Sequence, residues 1–220
     1  MIGAPKLVSR ILGGELPPRA LRYALLNQMN RWFRTGDNRF EFERLYLEKS
    51  DPWELRSSAY ERQKYKRTLD RILERRKGSE RVLEVGCSVG TFTRQLAENF
   101  QQVVAIDFSD EAIARAAEYC GEKRTIRFIR SNLQSLKLND AFDVIVCSEI
   151  LYYIDRRHSA AVCTQLERLL APNGVIVTVC EATSEPDFWE NTLSRKFRTV
   201  IKDTVSDDIR PYKLVLFEHS

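Results

Sequence analysis

The chain has 220 residues, of which 43% are hydrophobic and 30% charged, and its formal net charge is +4. This length is enough for one well-buried domain with a small appendage and too short for two full domains. No apolar run approaches the ~20 residues of a membrane span, and residues 1–30 lack the pattern of a secretion signal, so we expect a cytoplasmic protein.

Cysteine, histidine and charge usage exclude several further classes. The five cysteines fall in separate predicted elements without paired spacing, and the chain has two histidines, so we expect buried thiols rather than disulfides or a metal site. Residues 1–40 hold seven Lys and Arg against two acidic residues, and the rest of the chain is close to neutral. Because that rest shows no basic stripe, we expect no nucleic-acid partner.

Residues 1–56 are predicted to form a helical extension. Helices are predicted over residues 19–34 and 40–49, and the first carries an apolar stripe of Leu21, Leu25, Met29 and Trp32. We predict that residues 1–40 dock over the main domain as a cap, because the stripe would otherwise expose a large apolar surface. The alternative is peripheral membrane contact, since a basic helix with aromatic residues also suits an anionic lipid surface.

From residue 57 to residue 220 the pattern predicts a single α/β domain. A long helix begins at Ser57 or Ser58, and strands then alternate with helices. The strands are predicted at 81–85, 103–106, 125–130, 142–147 and 175–180, and the helices at 92–99, 110–120, 158–170 and 187–197. Such alternation indicates a doubly wound parallel sheet, and the extended runs 198–204 and 212–218 are predicted to add a hairpin at its edge.

The most informative stretch runs from Val82 to Phe92, where an apolar strand ends in a small-residue turn and a helix follows at once. Small residues let the backbone turn sharply, and the free amides of a helix start can face polar or anionic groups. The next strand ends at Asp107, 21 positions after Gly86, which matches a carboxylate that closes on ribose hydroxyls. The sequence therefore predicts a nucleotide-cofactor loop.

The residues of the turn distinguish between cofactors. A dinucleotide fingerprint needs small residues at the positions of Gly86, Ser88 and Thr91, and Thr91 is a poor fit, which disfavours an NAD-dependent oxidoreductase. The pattern Glu84-x-Gly86-x-Ser88-x-Gly90 instead resembles the loop of class I S-adenosylmethionine (SAM) methyltransferases, with Ser88 in place of the middle glycine. This resemblance implies SAM as cofactor and a Rossmann-like, mostly parallel sheet of seven strands.

The resemblance continues in the expected order through residues 80–180. The turn 131–134 is similar to the adenine-binding turn of that class, and 142–149 to its fourth strand and acceptor-facing end. In this resemblance Asp107 takes the ribose, Glu84 reaches the methionine ammonium, and Asn132 accepts from the adenine amino group. The implied cofactor-binding residues are Glu84, Gly86, Cys87, Ser88, Gly90, Asp107, Phe108, Asn132, Leu133 and Ser148.

Three further motifs carry a narrower resemblance. Residues 51–53 (Asp-Pro-Trp), 60–65 (Tyr-Glu-Arg-x-x-Tyr) and 149–153 (Glu-Ile-Leu-Tyr-Tyr) are similar to nodulation protein S-type N-methyltransferases. Those enzymes methylate the free amino group of a chitooligosaccharide. The resemblance implies that the acceptor is an amine of a small molecule or glycan.

The acceptor side is expected at the carboxyl end of the fourth strand, where open parallel sheets bind their ligands. Glu149 lies there, and we predict that it binds the acceptor amine or acts as a base. Methyl transfer mainly requires positioning, so little other machinery is needed. The remaining candidates are Tyr152, Tyr153 and His158 for catalysis and Tyr60, Tyr65 and Trp189 for acceptor binding.

Two other functions stay open at this point. An O-methyltransferase of a natural product would show the same cofactor motifs, and activity without an amine in the acceptor would distinguish it. A catalytically silent SAM-binding module is the second alternative, and the intact Gly86, Gly90 and Asp107 argue against it. The identity of the acceptor and the oligomeric state cannot be read from these motifs.

Overall fold

The computed structural model describes residues 39–75, 81–182, 186–206 and 210–220. The helices are α1 (Arg39–Glu48), α2 (Ala59–Arg75), α3 (Thr91–Asn99), α4 (Asp110–Cys120), α5 (Ser159–Leu169) and α6 (Pro186–Leu193). The strands are β1 (Arg81–Val85), β2 (Gln102–Asp107), β3 (Ile126–Arg130), β4 (Phe142–Ser148), β5 (Leu170–Glu181), β6 (Phe197–Val205) and β7 (Tyr212–His219). Within these ranges no helix is both long enough and apolar enough to cross a bilayer.

The seven strands form one sheet in the order β3-β2-β1-β4-β5-β7-β6. Strands β1 to β5 run parallel, and β7 is antiparallel to both of its neighbours. The chain first builds outward from β1 to β3 and then returns to the other side of β1 with β4. The carboxyl ends of β1 and β4 therefore flank a topological switch point, which is where open α/β sheets bind ligands.

Both faces of the sheet are covered, as the apolar strands require. In β4, Ile145 and Cys147 pack into one cluster with residues of α5 and α6. Val144 and Val146 pack into the opposite cluster with residues of α2 and α3. Each such fully buried apolar side chain contributes roughly 1.5–3 kcal/mol, so the two clusters hold the strand ends in fixed positions around the switch point.

The predicted seven-stranded α/β fold is confirmed, and the boundaries differ mainly near the carboxyl terminus. The helix predicted over 187–197 ends at Leu193, because Phe197 is buried and begins β6. The predicted edge hairpin is β6 with β7, and β7 lies inside the sheet between β5 and β6. Ser58 begins α2 as predicted, since its Oγ accepts from the Glu61 amide at 3.3 Å.

The extension can be compared with the structure only in part. The predicted helix over residues 40–49 is α1, which spans Arg39–Glu48. The predicted helix 19–34 and its apolar stripe lie outside the described residues. The division into an extension of residues 1–56 and a domain of residues 57–220 therefore stays a prediction.

Candidate active site

A cavity of about 520 Å³ lies at the carboxyl ends of β1, β2 and β4. This volume falls in the range typical of small-molecule sites, ~300–1,000 Å³. Its lining combines the turn after β1, the end of β2, the segment after β3 and the segment after β4. Phe42 and Tyr46 of α1 and Lys64 and Tyr65 of α2 complete it. The carboxyl end of the fourth strand, where the sequence predicted the acceptor side, thus borders a concave site of small-molecule size.

The turn after β1 has a left-handed backbone at three positions. Gly86, Ser88 and Gly90 have φ values of 78°, 49° and 78°. Ser88 is not a glycine, so this conformation costs it roughly 1–2 kcal/mol. The Tyr46 hydroxyl donates to Ser88 Oγ at 2.8 Å, so α1 supports the strained position. Sequence reasoning did not identify Tyr46.

Gly90 lies where α3 and α4 approach each other closely. It is not part of the cavity lining within the described chain. A Cβ at Gly90 would lie 3.0 Å from both Cα and Cβ of Ala116 on α4. Gly90 therefore allows α3 and α4 to pack closely, and its contact with the cofactor stays a prediction.

Asp107 lies at the end of β2 and ties this strand to the turn. Its Oδ2 accepts from the Ser88 amide at 3.0 Å, and its Oδ1 accepts from the Ser109 amide at 3.1 Å. Burial raises the pKa of this carboxyl to about 6, although the backbone donors work in the opposite direction. Asp107 lines the cavity, and a carboxylate can accept hydrogen bonds from hydroxyl donors that enter it.

Glu84 is a second buried carboxyl, one strand away from Asp107. Its Oε2 accepts from Thr93 Oγ1 at 2.5 Å, and 5% of the residue is exposed. Burial raises the pKa of Glu84 to about 8 despite this hydrogen bond, and the nearby Asp107 adds to the rise. A cation that entered the cavity would favour the ionised form, so Glu84 is suited to receive an ammonium group.

The segment after β3 forms the opposite side of this half of the cavity. Phe108, Asn132, Leu133 and Ser148, which are among the predicted cofactor-binding residues, all line the cavity. Asn132 differs in detail, because its Oδ1 accepts from both the amide and the hydroxyl of Ser135 at 2.8 Å. Both lone pairs of that oxygen are used, so the prediction that Asn132 accepts from an adenine amino group is corrected. Its side-chain amide is instead the group able to donate to a base.

Glu149 begins the other half of the cavity, immediately after β4. Its backbone has φ 57°, and its amide donates to the Val179 carbonyl at 2.7 Å, so a non-glycine residue is held in a left-handed conformation. Lys64 Nζ donates to Glu149 Oε1 at 3.0 Å, and the Tyr152 hydroxyl donates to Oε2 at 2.8 Å. Burial opposes ionisation, but Lys64 and Arg210 outweigh it and lower the pKa of Glu149. Glu149 is therefore a fixed carboxylate.

Lys64 and Arg210 are functional candidates that sequence reasoning missed. Lys64 Nζ also lies 2.8 Å from Glu61 Oε2, and Arg210 Nη1 lies 2.9 Å from Glu61 Oε1. Arg210 is 149 positions from Glu61 in the chain, so no local pattern indicates this contact. The sequence of α2 does hold a signal for Lys64. The charged Glu61 and Lys64 lie in the same helical stripe as the buried Tyr65 and Ile72, and charged residues in a buried stripe indicate a paired or functional role.

The aromatic candidates separate into lining and packing residues. Tyr152 and Tyr153 both line the cavity, and burial followed by the charge of Glu149 raises the pKa of Tyr152, which keeps it a neutral donor. Tyr65 also lines the cavity, where its ring stacks on Phe92 with centroids 4.7 Å apart. His158 is exposed at the rim.

Tyr60 and Trp189 are absent from the cavity lining within the described chain. The Tyr60 hydroxyl donates to the Arg210 carbonyl at 2.7 Å, so Tyr60 positions Arg210. Trp189 lies on α6, is 3% exposed and packs into the core together with residues of α5. Because its ring is buried in this core, the acceptor-binding role predicted for Trp189 is corrected.

Comparisons with known proteins agree with this geometry. The family model described as nodulation protein S (NodS) matches residues 35–185. Nodulation protein S of Bradyrhizobium diazoefficiens is 32% identical over 144 residues, which are 65% of this chain and 68% of the relative. Nodulation protein S of Rhizobium tropici is 34% identical over 146 residues, which are 66% of this chain and 60% of the relative. The match therefore spans about two thirds of the length of these curated relatives.

Solved structures show the same fold. N-methyltransferase NodS from Bradyrhizobium japonicum WM9, in complex with S-adenosyl-L-homocysteine, superposes with a TM-score of 0.76 at 24% identity and covers 83% of this chain and 99% of its own. Magnesium protoporphyrin IX methyltransferase from Synechocystis PCC 6803, with bound SAM, gives a TM-score of 0.67 at 14% identity over 84% of this chain and 99% of its own.

Proposed function

The chain belongs to the nodulation protein S family of SAM-dependent methyltransferases, and we propose that it transfers a methyl group from SAM to an amine of a small molecule or glycan. A chitooligosaccharide with one free amino group is the acceptor that this family membership favours. The proposal rests on one observation above the others. The ionised carboxylate of Glu149 lies in the same cavity as a set of groups that matches SAM.

The described residues fit SAM by the chemistry of their donor set. Asp107 presents a carboxylate for the two ribose hydroxyls, and Glu84 presents a carboxyl for the methionine ammonium. Phe108 and Leu133 offer apolar surface for a planar base, and Asn132 offers its amide beside them. The left-handed positions Gly86 and Ser88 bring the backbone of the turn into the cavity without a bulky side chain in the way.

The acceptor half of the cavity is suited to hold an amine. Glu149 can accept a hydrogen bond from the acceptor nitrogen, and Tyr152 fixes the direction of that carboxylate. When bound, SAM supplies an electrophilic methyl group whose bonding electrons return to sulfur as the nitrogen lone pair forms the new N–C bond. The protein contributes mainly position, because holding the reactants together lowers the entropic part of the barrier.

The product amine leaves with one proton more than its neutral base, and that proton is released to solvent. No residue has to abstract it before the transfer, provided that the acceptor enters uncharged. His158 at the exposed rim is then not required as a base. An O-methyltransferase would need such a base next to the hydroxyl, so the two reactions place different demands on this cavity.

We also propose that the enzyme acts in the cytoplasm. All five cysteines are free and buried, which suits a reducing compartment. Burial raises the pKa of the Cys147 thiol to about 12, so this thiol stays protonated and unreactive.

The proposed function is tested by a product screen. Purified protein and SAM are incubated with chitotetraose carrying one free amino group, fully N-acetylated chitotetraose, polyamines and phenols, and products are identified by mass. A gain of one methyl group on amines alone is the expected result. Methylation of the phenols but not of the amines would replace the proposal with O-methyl transfer, and SAM binding without any product would indicate a silent binding module.

A further inference from the structure

Four charged side chains form a closed cluster beside the acceptor half of the cavity. This buried charge cluster consists of Glu61 and Lys64 on α2, Glu149 after β4 and Arg210 before β7. Lys64 bridges the two carboxylates at 2.8 and 3.0 Å, and Arg210 binds Glu61 from the other side at 2.9 Å. All four residues line the cavity.

The cluster is buried and electrically balanced. The side chains of Lys64, Glu61, Arg210 and Glu149 are 1%, 3%, 16% and 18% exposed, so water screens their charges only weakly. Two carboxylates face two cations, and their formal charges sum to zero. A buried lysine is costly unless it is paired, which indicates that this balance is a requirement of the site and not a surface coincidence.

The balance has a consequence for an amine acceptor. A primary amine of ordinary basicity is mostly protonated at neutral pH, and an ammonium has no lone pair to attack with. A carboxylate alone would bind that ammonium and stabilise the unreactive form, because an opposite charge within ~4–6 Å favours the charged state by ~1–3 pKa units. A nearby cation has the opposite effect.

We propose that Lys64 and Arg210 cancel the charges of Glu149 and Glu61 so that the acceptor subsite takes up the amine as its neutral, nucleophilic form. This inference rests on the proposed amine acceptor. It assigns Glu149 as a hydrogen-bond acceptor for the nitrogen, and Lys64 as the residue that prevents Glu149 from trapping an ammonium. The proton lost by the incoming ammonium goes to solvent.

Other titratable groups face the cluster from each element packed against it. They are Tyr60 and Tyr65 on α2, Tyr152 and Tyr153 after β4, Cys180 on β5 and Tyr212 on β7. Burial raises the pKa of Tyr65, Tyr152 and Cys180, so these three stay neutral near pH 7. Glu84 and Asp107 at the cofactor half and His158 at the rim also line the cavity, and they are unchanged in every variant compared below.

The first test is the pH dependence of turnover at saturating SAM, with chitotetraose carrying one free amino group as acceptor. Lys64→Met leaves a net negative cluster, so the acidic limb of the kcat profile should move up by about one pH unit or more. At neutral pH the KM for the acceptor should fall together with kcat, because the ammonium binds better and reacts less. Glu61→Gln leaves a net positive cluster and should move the limb in the opposite direction.

Two control variants separate charge from structure. Lys64→Arg keeps the cation and should keep the limb at its wild-type position. Lys66→Met removes a lysine from the same helix whose side chain is 75% exposed and paired with Asp70, and it should match wild type throughout. Damage to the fold would lower turnover in both cluster variants without shifting their limbs in opposite directions.

A second readout needs no acceptor. SAM carries a positive sulfonium that S-adenosylhomocysteine lacks, so calorimetry should show the preference for SAM over S-adenosylhomocysteine rising about threefold or more in Lys64→Met and falling in Glu61→Gln. If wild type binds SAM but does not methylate the amino oligosaccharide, the proposed acceptor fails, and this ratio alone decides the inference. Unshifted pH limbs in an active enzyme, or an unchanged ratio in both variants, would overturn it.

Discussion

At the scale of single residues, the cavity is organised by three carboxyl groups with different surroundings. Glu84 and Asp107 have raised pKa values because burial dominates, whereas Glu149 has a lowered pKa because Lys64 and Arg210 outweigh burial. The strand-end positions of all three were predictable from the sequence, since each follows an apolar run. The residues that contact these carboxyl groups were not predictable. Lys64, for example, is 85 positions from Glu149 in the chain, and only the fold brings the two together.

Asp107→Ala should weaken SAM binding by about 1.5–3 kcal/mol, the scale of a lost hydrogen bond to a charged group. The substitution also releases the Ser88 amide from its partner at 3.0 Å, which loosens the turn that approaches the cofactor. Isothermal calorimetry on the folded variant checks the value. Unchanged affinity would remove Asp107 from the cofactor site.

The raised pKa of Glu84 leads us to expect that SAM binding releases a proton near neutral pH. Its pKa of about 8 means that the carboxyl is mostly protonated at pH 7 in the free protein. The methionine ammonium favours the carboxylate, so the proton leaves on binding, and affinity rises with pH until the free carboxyl has titrated at about 8. Calorimetry in buffers of different ionisation enthalpy measures the released proton.

Glu84→Gln is the control for this effect, because it keeps the shape of the side chain and cannot ionise. The variant should bind SAM more weakly and lose most of the proton release at pH 7. The remaining release should be confined to lower pH, where Asp107 with its pKa of about 6 titrates. Full proton release at pH 7 in Glu84→Gln would contradict the assignment.

At the scale of elements, the strands were the most predictable part of the fold. The bounds of β1 and α4 coincide with those predicted, because buried apolar runs and turn residues mark both ends. The helix predicted to reach residue 197 shows the limit of this reasoning. Phe197 fits the apolar pattern of a helix equally well, and its pairing with His219 on β7 decides in favour of a strand.

The contact between α1 and the cofactor turn leads to a prediction about coupled residues. Tyr46→Phe removes the hydrogen bond to Ser88 Oγ and should weaken SAM binding by about 0.5–1.5 kcal/mol. In a Ser88→Gly background the same change should have little effect, because glycine adopts φ 49° without support. Tyr119→Phe, on α4 and outside the cavity lining, serves as the control.

A double-mutant cycle over Tyr46 and Ser88 measures this coupling by calorimetric SAM titrations of the four proteins. Additive effects would show that the Tyr46 hydroxyl acts on SAM binding independently of Ser88. The Tyr46 ring, whose centroid lies 5.3 Å from that of Trp53, is kept in Tyr46→Phe, so the cycle isolates the contribution of the hydroxyl.

At the scale of the whole molecule, the sheet brings cofactor and acceptor groups to one edge from distant parts of the chain. The order of β1 and β4 at the switch point explains why Glu84 and Glu149 share one cavity. The class of fold and the SAM site were predictable because their motifs are local. The buried charge cluster was not predictable from the sequence. It forms only where α2, the segment after β4 and Arg210 just before β7 come together.

The predicted role of residues 1–40 as a cap can be tested by truncation. Deleting residues 1–38 should leave a folded protein that binds SAM but turns over the amine acceptor poorly, since a cap positions substrate and excludes water. Turnover and vesicle co-sedimentation are measured on the full chain and the truncated one. Strong binding of the full chain to anionic vesicles, with full turnover after truncation, would favour the membrane alternative instead.

The central claim is that one cavity has a cofactor half and an acceptor half, with Glu149 in the second. Glu149→Gln tests it most directly, with SAM affinity by calorimetry and methyl transfer to the amino oligosaccharide measured on the same sample. We predict a loss of SAM affinity no larger than the few-fold change caused by removing one negative charge from the cluster, and a loss in kcat/KM of roughly 10–100-fold, the scale for one hydrogen bond to a charged group. A loss of SAM affinity equal to the loss of turnover would contradict the claim and assign Glu149 to the cofactor.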